Sequence, residues 1–298
     1  TKVTFDESLT EDSFLLNGKE QPEKEIAKIS HFLDLFCEYI GKRPFARVES
    51  INFVPTAAGL ASSASAFAAL ALAVADALEL DLSRQELSTI ARRGSGSSTR
   101  SLFGGFVEWD MGTTSEDSMA HPIDDADWDI GMLVLVVDSQ EKKIASRIGM
   151  EHTVETSPFY PAWVETARED LQAIKKAIAE KDFETLGRIT EHNGMKMHAT
   201  TLSANPPFTY WTADSLLAQE AVRKVREDLQ VPAYMTMDAG PNVKVLCRAS
   251  DMERLVDAIS AYFPAEKIIP SLPGPAAYVL TEAEWTASQE AFARGKKA

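Results

Sequence analysis

The chain has 298 residues, a formal net charge of −15 and two cysteines. The length suits one large domain or two ordinary ones, and 45% hydrophobic with 25% charged residues exclude a disordered chain. The acidic balance argues against nucleic acid and against an anionic membrane as partners. Cys37 and Cys247 lack metal-ligand spacing, which argues against a zinc site and a disulfide scaffold. We therefore expect a cytoplasmic globular protein.

Strand and helix patterns alternate through the first half of the chain. The predicted elements are paired strands over 1–18 with a turn at Asn17-Gly18, a helix over 23–40, a strand over 46–54, a segment rich in Ala, Ser and Gly over 57–77, a helix over 87–93, a strand over 103–109 and a polar loop over 113–127. The small residues of 57–77 predict an element whose backbone lies close to its neighbours.

The second half opens with a short apolar run that predicts a buried strand. The predicted elements are a strand over 131–137, a charged loop over 138–146, helices over 162–181, 182–198 and 215–229, strands over 233–238 and 243–247, a helix over 251–262 and a strand over 277–280. Together these elements predict an α/β fold with a boundary near residue 155, which gives domains 1–155 and 156–298.

The first segment that carries chemistry runs from Pro55 to Ala66, where a strand ends, a glycine-containing turn follows and a helix begins among serines. The unpaired N–H groups and the positive dipole at a helix start bind phosphate, and serine hydroxyls can reach Mg²⁺. No Lys or Arg lies between Arg47 and Arg84, so an anion here would depend on backbone dipoles. An Ala-rich core helix with a serine cap is an equally good interpretation of the spacing alone.

Two basic segments interrupt the acidic chain. Residues 92–100 combine three arginines with two glycines and four hydroxyl groups, a composition that can hold a carboxylate or a phosphate. Residues 142–150 place two lysines and an arginine beside a serine and a glycine. For either segment alone, a solvated surface loop is the more ordinary interpretation.

A further candidate is Asp238, in a Met-Asp-Ala-Gly-Pro-Asn turn between two apolar strands. The apolar flanks predict that its carboxylate lies at a strand end inside the core, where it needs a cationic partner or a function. Ordinary turn chemistry is the alternative. His192 and His198 are predicted to be structural, and His121 belongs to no recognisable constellation.

Taken together, these segments resemble a known family. Residues 55–65 read Pro-x3-Gly-Leu-x-Ser-Ser-x-Ser, which is similar to the ATP-binding motif of the GHMP small-molecule kinases. Within that superfamily, residues 94–101, 146–150 and 237–242 resemble mevalonate diphosphate decarboxylases. The resemblance runs from about residue 1 to residue 247. It implies a two-domain GHMP-kinase fold with a ribosomal-S5-like N-terminal domain and a ferredoxin-like C-terminal domain.

The resemblance also implies an activity, namely the ATP-dependent decarboxylation of mevalonate 5-diphosphate to isopentenyl diphosphate by a Mg²⁺-requiring homodimer. By resemblance, the ATP contacts are Pro55, Ala58, Gly59, Leu60, Ala61, Ser62, Ser63 and Ser65, of which Ser62 and Ser63 would also reach Mg²⁺. The implied substrate contacts are Ser95, Gly96, Ser97, Arg100, Ser146, Arg147 and Met150. The implied catalytic residues are Asp238 as base for the hydroxyl, Arg100 at the carboxylate, and Lys142 or Lys143 at the transferring phosphoryl group.

The nearest alternatives are a GHMP kinase acting on mevalonate or phosphomevalonate, and a phosphomevalonate decarboxylase. A non-catalytic nucleotide-binding regulator is another. Asp238 together with Arg100 favours decarboxylation, because a simple kinase has no need to hold a carboxylate. Family members begin with a strand carrying a Lys-Tyr-Trp-Gly-Lys-like segment, and neither Trp109 nor Trp128 matches that context. We expect the printed chain to lack this segment.

Overall fold

The structure is a computed structural model that describes residues 1–53, 62–138 and 144–295. Its described residues form two compact units, the first made of 1–53, 62–125 and 274–295 and the second of 126–138 and 144–273. This division differs from the expected boundary near residue 155, because the strand Gly131–Leu135 pairs with strands of the second unit.

The first unit contains a four-stranded mixed sheet. Its strands are β1 (Lys2–Phe5), β2 (Ser13–Leu16), β3 (Lys19–Glu20) and β4 (Ala46–Ser50), in the order β1-β4-β2-β3. Strand β4 runs antiparallel to β1 and parallel to β2. Asn17 and Gly18 both have positive φ at the β2–β3 hairpin, which confirms the predicted turn.

Helices cover the rest of this unit, together with a separate hairpin. They are α1 (Glu23–Asp34), α2 (Cys37–Ile40), α3 (Ser62–Ala77), α4 (Arg84–Gly94) and the 3₁₀ helix Gly96–Leu102, followed by the hairpin strands β5 (Phe106–Trp109) and β6 (Ala120–Asp124). The single helix predicted over 23–40 is therefore two, and the predicted polar loop contains β6.

Helix α3 lies close to its neighbours, as its small residues predicted. Ala68, Ala71 and Ala75 are each at most 3% exposed and belong to the core of the first unit. Where α4 ends, a Cβ added to Gly94 would lie 2.2 Å from Phe67 Cδ1, so only glycine allows this approach. The close packing fixes the start of α3 relative to the 3₁₀ helix.

The second unit is built on an antiparallel sheet covered by helices. In chain order its elements are β7 (Gly131–Leu135), α5 (Ser146–Thr156), α6 (Tyr160–Ala179), α7 (Phe183–Leu202), α8 (Ala213–Leu229), β8 (Ala233–Thr236), β9 (Val243–Cys247), α9 (Met252–Ile259) and β10 (Ile268–Ser271). The strand order is β10-β7-β9-β8. Helix α10 (Glu282–Gly295) then belongs to the first unit.

Two predicted segments differ from the structure. The strand expected over 277–280 does not form: these residues pair with no described strand, and Ala277 packs against the core of the first unit. Helix α5 begins at Ser146, where the sequence predicted the end of a charged loop. Within the described residues, we find no helix with the length and apolar character that a membrane span requires.

Candidate active site

The predicted site residues fall into three groups. Those in the first unit are Ser62, Ser63, Ser65, Ser95, Gly96, Ser97 and Arg100, and those in the second are Ser146, Arg147, Met150 and Asp238. The predicted residues Pro55, Ala58, Gly59, Leu60, Ala61, Lys142 and Lys143 lie outside the described residues.

The start of α3 has the character of an anion site. Ser62 and Ser63 open the helix, and its first turn contains no acidic residue. The Ser65 hydroxyl donates to the Ser62 carbonyl at 3.2 Å, so it is used within the helix. Phosphate is compatible with this end because the dipole is positive and no carboxylate opposes it.

A chain of hydroxyl groups joins this helix start to the 3₁₀ helix. Ser63 Oγ lies 3.2 Å from Ser95 Oγ, and Ser95 Oγ lies 3.4 Å from Ser97 Oγ. The fully buried Ser98 donates its hydroxyl to the Ala91 carbonyl at 2.7 Å, which ties the 3₁₀ helix to α4. The structure therefore brings the predicted ATP-binding segment and the predicted substrate-binding segment into contact.

Arg100 lies on the same 3₁₀ helix, and no acidic residue that the structure describes is its partner. In the described part of the chain, its guanidinium forms no ion pair, although Arg43, Arg93 and Arg226 all bind carboxylates. Its Cζ lies 5.8 Å from the centroid of the Trp109 ring instead. Arg100 is an exposed residue. The protein around its guanidinium nevertheless removes part of the surrounding water, and this desolvation lowers the pKa of Arg100. The group remains a cation at neutral pH and is available to an anion.

Trp109 is a residue of this region that the sequence did not single out. Its Nε1 donates to Ser118 Oγ at 3.1 Å, and a Cβ added to Gly96 would lie 3.3 Å from its Cη2 atom. The indole therefore lies against both Gly96 and Arg100. Local sequence could not have indicated this contact, since it depends on how the hairpin β5–β6 meets the 3₁₀ helix.

The same hairpin carries a charged triad, so the expectation that His121 belongs to no constellation is wrong. His121 Nε2 lies 3.4 Å from Glu108 Oε2, and His121 Nδ1 lies 3.2 Å from Asp110 Oδ2. Ligand atoms of the three residues lie within 4.8 Å of one another. Both ring nitrogens face carboxylates, and the triad links β5 to β6.

In the second unit, the predicted substrate residues Ser146, Arg147 and Met150 lie on α5. The helix start has no side-chain cap and no acidic residue in its first turn, which suits an anion. Arg147 is 88% exposed, and its Nε donates to Glu151 at 3.1 Å. An anionic ligand at this end would compete with Glu151 for Arg147.

Asp238 follows β8 and forms an ion pair with Lys244 of β9. Its side chain is 58% exposed, so the expectation that it lies inside the core is wrong: the last buried residue before it is Met237, just after β8. Lys244, whose side chain is 15% exposed, is the cationic partner that the sequence predicted for Asp238.

The turn that carries Asp238 is held by hydrogen bonds at its C-terminal end. The buried Asn242 accepts the Val137 amide at 2.8 Å through Oδ1. The Ser215 hydroxyl, in the first turn of α8, donates to the Pro241 carbonyl at 2.8 Å. Asp238 is therefore an exposed carboxylate on a rigid support.

His198 lies beneath this turn and is fully buried. Its Nε2 is 3.3 Å from the Met237 carbonyl oxygen, and its ring lies 4.9 Å from the Trp211 ring. Burial lowers the pKa of His198, and the hydrogen bond to Met237 and the charge of Asp238 oppose this only in part. A neutral, packed imidazole agrees with the structural role that the sequence predicted.

Ser62 and Ser63 could bind a magnesium ion only together with ligands from another molecule. Mg²⁺ in proteins takes oxygen ligands and retains waters, and it is usually held by carboxylates together with substrate phosphates. The first turn of α3 offers hydroxyl oxygens and no carboxylate. These residues therefore fit a Mg²⁺ that arrives with ATP phosphates, and they do not form a protein-only metal site.

Family models match most of the chain. A diphosphomevalonate decarboxylase-like N-terminal domain matches residues 1–120, and a mevalonate 5-diphosphate decarboxylase C-terminal domain matches residues 132–293. The diphosphomevalonate decarboxylase of Ganoderma lucidum is 40% identical over 227 residues, which cover 73% of this chain and 57% of that protein. The chain thus spans less than two thirds of that relative.

Solved structures agree with these matches. A structure of the mevalonate diphosphate decarboxylase from Enterococcus faecalis, on mevalonate diphosphate mediated ATP binding, has 48% identity and a TM-score of 0.85. It covers 92% of this chain, which in turn covers 84% of it. A structure of MDDEF in complex with MVAPP, AMPPCP and magnesium has 48% identity, a TM-score of 0.86 and the same coverage. The chain belongs to the diphosphomevalonate decarboxylase family.

Proposed function

We propose that this protein converts mevalonate 5-diphosphate and ATP into isopentenyl diphosphate, ADP, phosphate and CO₂. The observation that carries the proposal is the contact between the start of α3 and the 3₁₀ helix, which also carries Arg100, a cation with no acidic partner among the described residues. The proposal makes the first of these the phosphoryl donor site and the second the carboxylate site. A kinase that transfers phosphate and stops would not need the second site.

Arg100 supplies the carboxylate contact in this scheme. A β-hydroxy acid has no carbonyl that could accept the electrons released with CO₂, so its tertiary hydroxyl must first become a better leaving group. Phosphorylation does this, and loss of phosphate leaves positive charge beside the carboxylate. Because no carboxylate of the described residues competes for Arg100, it can orient the substrate carboxylate until the C–C bond breaks.

Asp238 accepts the proton of the tertiary hydroxyl as that oxygen attacks the γ-phosphorus of ATP. The role suits an exposed carboxylate on a rigid turn, and Lys244 holds the side chain in one orientation. Phosphoryl transfer depends mainly on positioning and electrostatics, so the rigidity of this turn supports the assignment.

The phosphate groups of mevalonate diphosphate and of ATP have candidate binding sites at two helix starts. The first turn of α5, with Ser146 and Arg147, binds the substrate diphosphate, and the first turn of α3, with Ser62 and Ser63, binds ATP phosphates. Mg²⁺, when it arrives with ATP, neutralises part of the phosphate charge. The relatives bound to MVAPP, AMPPCP and magnesium support this ligand set. Lys142 and Lys143 near the phosphoryl group, a homodimer and a cytoplasmic location remain predictions.

An assay with three substrates tests the proposal. Mevalonate, its 5-phosphate and its 5-diphosphate are each incubated with ATP and Mg²⁺, and ADP, phosphate and CO₂ are measured in parallel. We expect equal amounts of the three products from the diphosphate alone. ADP without CO₂ would indicate a kinase, CO₂ from the monophosphate would indicate a phosphomevalonate decarboxylase, and ATP binding without turnover would indicate a regulator.

A further inference from the structure

The indole of Trp109 is too exposed for its main function to be core packing. It is 37% exposed, and its ring is in contact with Arg100 and Gly96 in the predicted substrate-binding segment. Within β5 it is Val107, two residues before Trp109, that packs against the apolar core of the first unit. A large aromatic side chain held beside a cation that pairs with no described carboxylate calls for a functional explanation.

We infer that Trp109 is a positioning residue that holds the Arg100 guanidinium in place for the substrate carboxylate. The inference rests on the proposed function of Arg100. A guanidinium within about 6 Å of an indole centroid is attracted to the ring face, and the observed distance is 5.8 Å. A carboxylate partner would also hold Arg100, but it would neutralise the charge and occupy N–H donors. The indole holds the group and leaves its donors to the ligand.

The indole is itself fixed from two sides. Ser118, only 6% exposed, accepts from Trp109 Nε1 at 3.1 Å and donates to the Asp110 carbonyl at 3.2 Å. The flanking residues Glu108 and Asp110 contact His121 of β6. Side chains alternate along a strand, so this triad anchors β5 on the face opposite Trp109.

Gly96 completes the arrangement. A Cβ added at this position would lie 3.3 Å from Trp109 Cη2, a tight contact that would displace the ring from its place beside the 3₁₀ helix. The glycine therefore lets the indole approach the helix that carries Arg100. The ring, the glycine and the arginine form one anion-binding surface with Ser95 and Ser97.

The test compares KM values for mevalonate diphosphate and for ATP. In Trp109→Leu we expect KM for mevalonate diphosphate to rise about 2- to 30-fold, the range that corresponds to loss of one cation–π contact. KM for ATP should stay within about 2-fold, since α3 is unchanged. Trp109→Phe keeps an aromatic face and should lie between the wild type and Trp109→Leu. A purely structural role would instead raise both KM values or lower the amount of folded protein in both variants.

Tryptophan fluorescence provides a second measurement that needs no turnover. The chain has five tryptophans, so the signal must be assigned by substitution. We expect saturating mevalonate diphosphate to change the emission of the wild type and of the control Trp163→Phe, whose indole lies on α6. The change should be absent in Trp109→Phe and in Arg100→Gln.

The outcomes separate this inference from the proposed function. If Arg100→Gln raises KM for mevalonate diphosphate while Trp109→Leu leaves it unchanged, the positioning role is overturned and the function stands. If the wild type neither binds mevalonate diphosphate nor releases CO₂ from it, the function fails and the inference with it. An emission change that survives in Trp109→Phe also contradicts the inference.

Discussion

The charged residues of the candidate site are arranged differently in the two units. In the first unit Arg100 has an aromatic partner, and no described carboxylate compensates its charge. In the second unit Asp238 is paired with Lys244, and Arg147 with Glu151. An uncompensated cation is suited to bind an anion, while a paired carboxylate is held in one orientation. In the proposed function, the comparison corresponds to a carboxylate contact at Arg100 in the first unit and a proton acceptor at Asp238 in the second.

The largest expected effect is that of Asp238→Asn. Loss of a general base lowers turnover roughly 10²- to 10⁴-fold, and we expect a fall of this order in kcat. KM for mevalonate diphosphate should change little, because the amide occupies the same place. Steady-state kinetics measures both constants, and near-normal kcat would contradict the assignment of Asp238.

Arg43 in the first unit offers a contrast with Arg100, because its partner Asp12 is buried. Asp12 Oδ2 accepts from Arg43 Nη2 at 2.8 Å, and the two side chains are 4% and 7% exposed. Breaking such a pair leaves a buried charge, so we expect Asp12→Asn to lower the free energy of unfolding by about 3–5 kcal/mol. The control Asp34→Asn removes the 59% exposed carboxylate of the same cluster and should cost about 1 kcal/mol or less. Urea denaturation measures both values.

The stability that the Asp12–Arg43 pair contributes depends on pH. Burial acts to raise the pKa of Asp12, but hydrogen bonds from Arg43, Ser30 and the Ala46 amide together hold it below its ordinary value. A carboxyl group whose pKa is depressed in the folded state stabilises the protein at pH values above its unfolded pKa of about 3.9. This stabilisation is lost as the pH falls through the pKa of the folded state. The wild type should therefore lose stability below about pH 4 more steeply than Asp12→Asn. Equal slopes would contradict this account.

Arg100→Gln tests the cation that has no acidic partner. Hydrogen bonds to charged groups contribute about 1.5–3 kcal/mol, so we expect KM for mevalonate diphosphate to rise roughly 10- to 100-fold. The free energy of unfolding should hardly change, because no ion pair is broken. Arg93→Gln is the matched control, since Arg93 binds Glu38 at 3.3 Å and should leave KM unchanged. Equal weakening of ATP and substrate binding would reassign Arg100 to a structural role.

The smallest expected effect is that of Lys244→Met. Without its partner, the Asp238 carboxylate can take up other orientations, and we expect kcat to fall roughly 10-fold, or about 1.4 kcal/mol. Lys244→Arg restores a cation and should recover most of the loss. Lys224→Met, which breaks the surface pair with Asp228, is a control expected to keep wild-type kcat. An unchanged kcat in Lys244→Met would show that the turn alone orients Asp238.

The fold could be predicted from sequence where the signal was local. Strands β8 and β9 follow from apolar runs on either side of a turn, and the helical spacing of α8 from its own residues. The prediction over 277–280 was wrong because a strand needs a pairing partner as well as an apolar run, and these residues pair with no strand of the described structure.

The site could be predicted only in part, for the same reason. Motif spacing indicated the segments that contain Ser63, Ser95 and Asp238, but not which of them meet. The Ser63–Ser95 contact depends on how α3 packs beside the 3₁₀ helix. Lys244 was a partner that the sequence could have indicated, because it lies on the strand that follows the Asp238 turn. Trp109 gave no local signal, since its contact with Arg100 joins two elements across a turn.

Direct binding of mevalonate diphosphate to Asp238→Asn and Arg100→Gln, measured by titration calorimetry without ATP, tests the division of roles most directly. We expect Asp238→Asn to bind with a Kd within about 3-fold of the wild type and Arg100→Gln to bind at least about 10-fold more weakly. Weak binding by Asp238→Asn together with wild-type binding by Arg100→Gln would contradict the account.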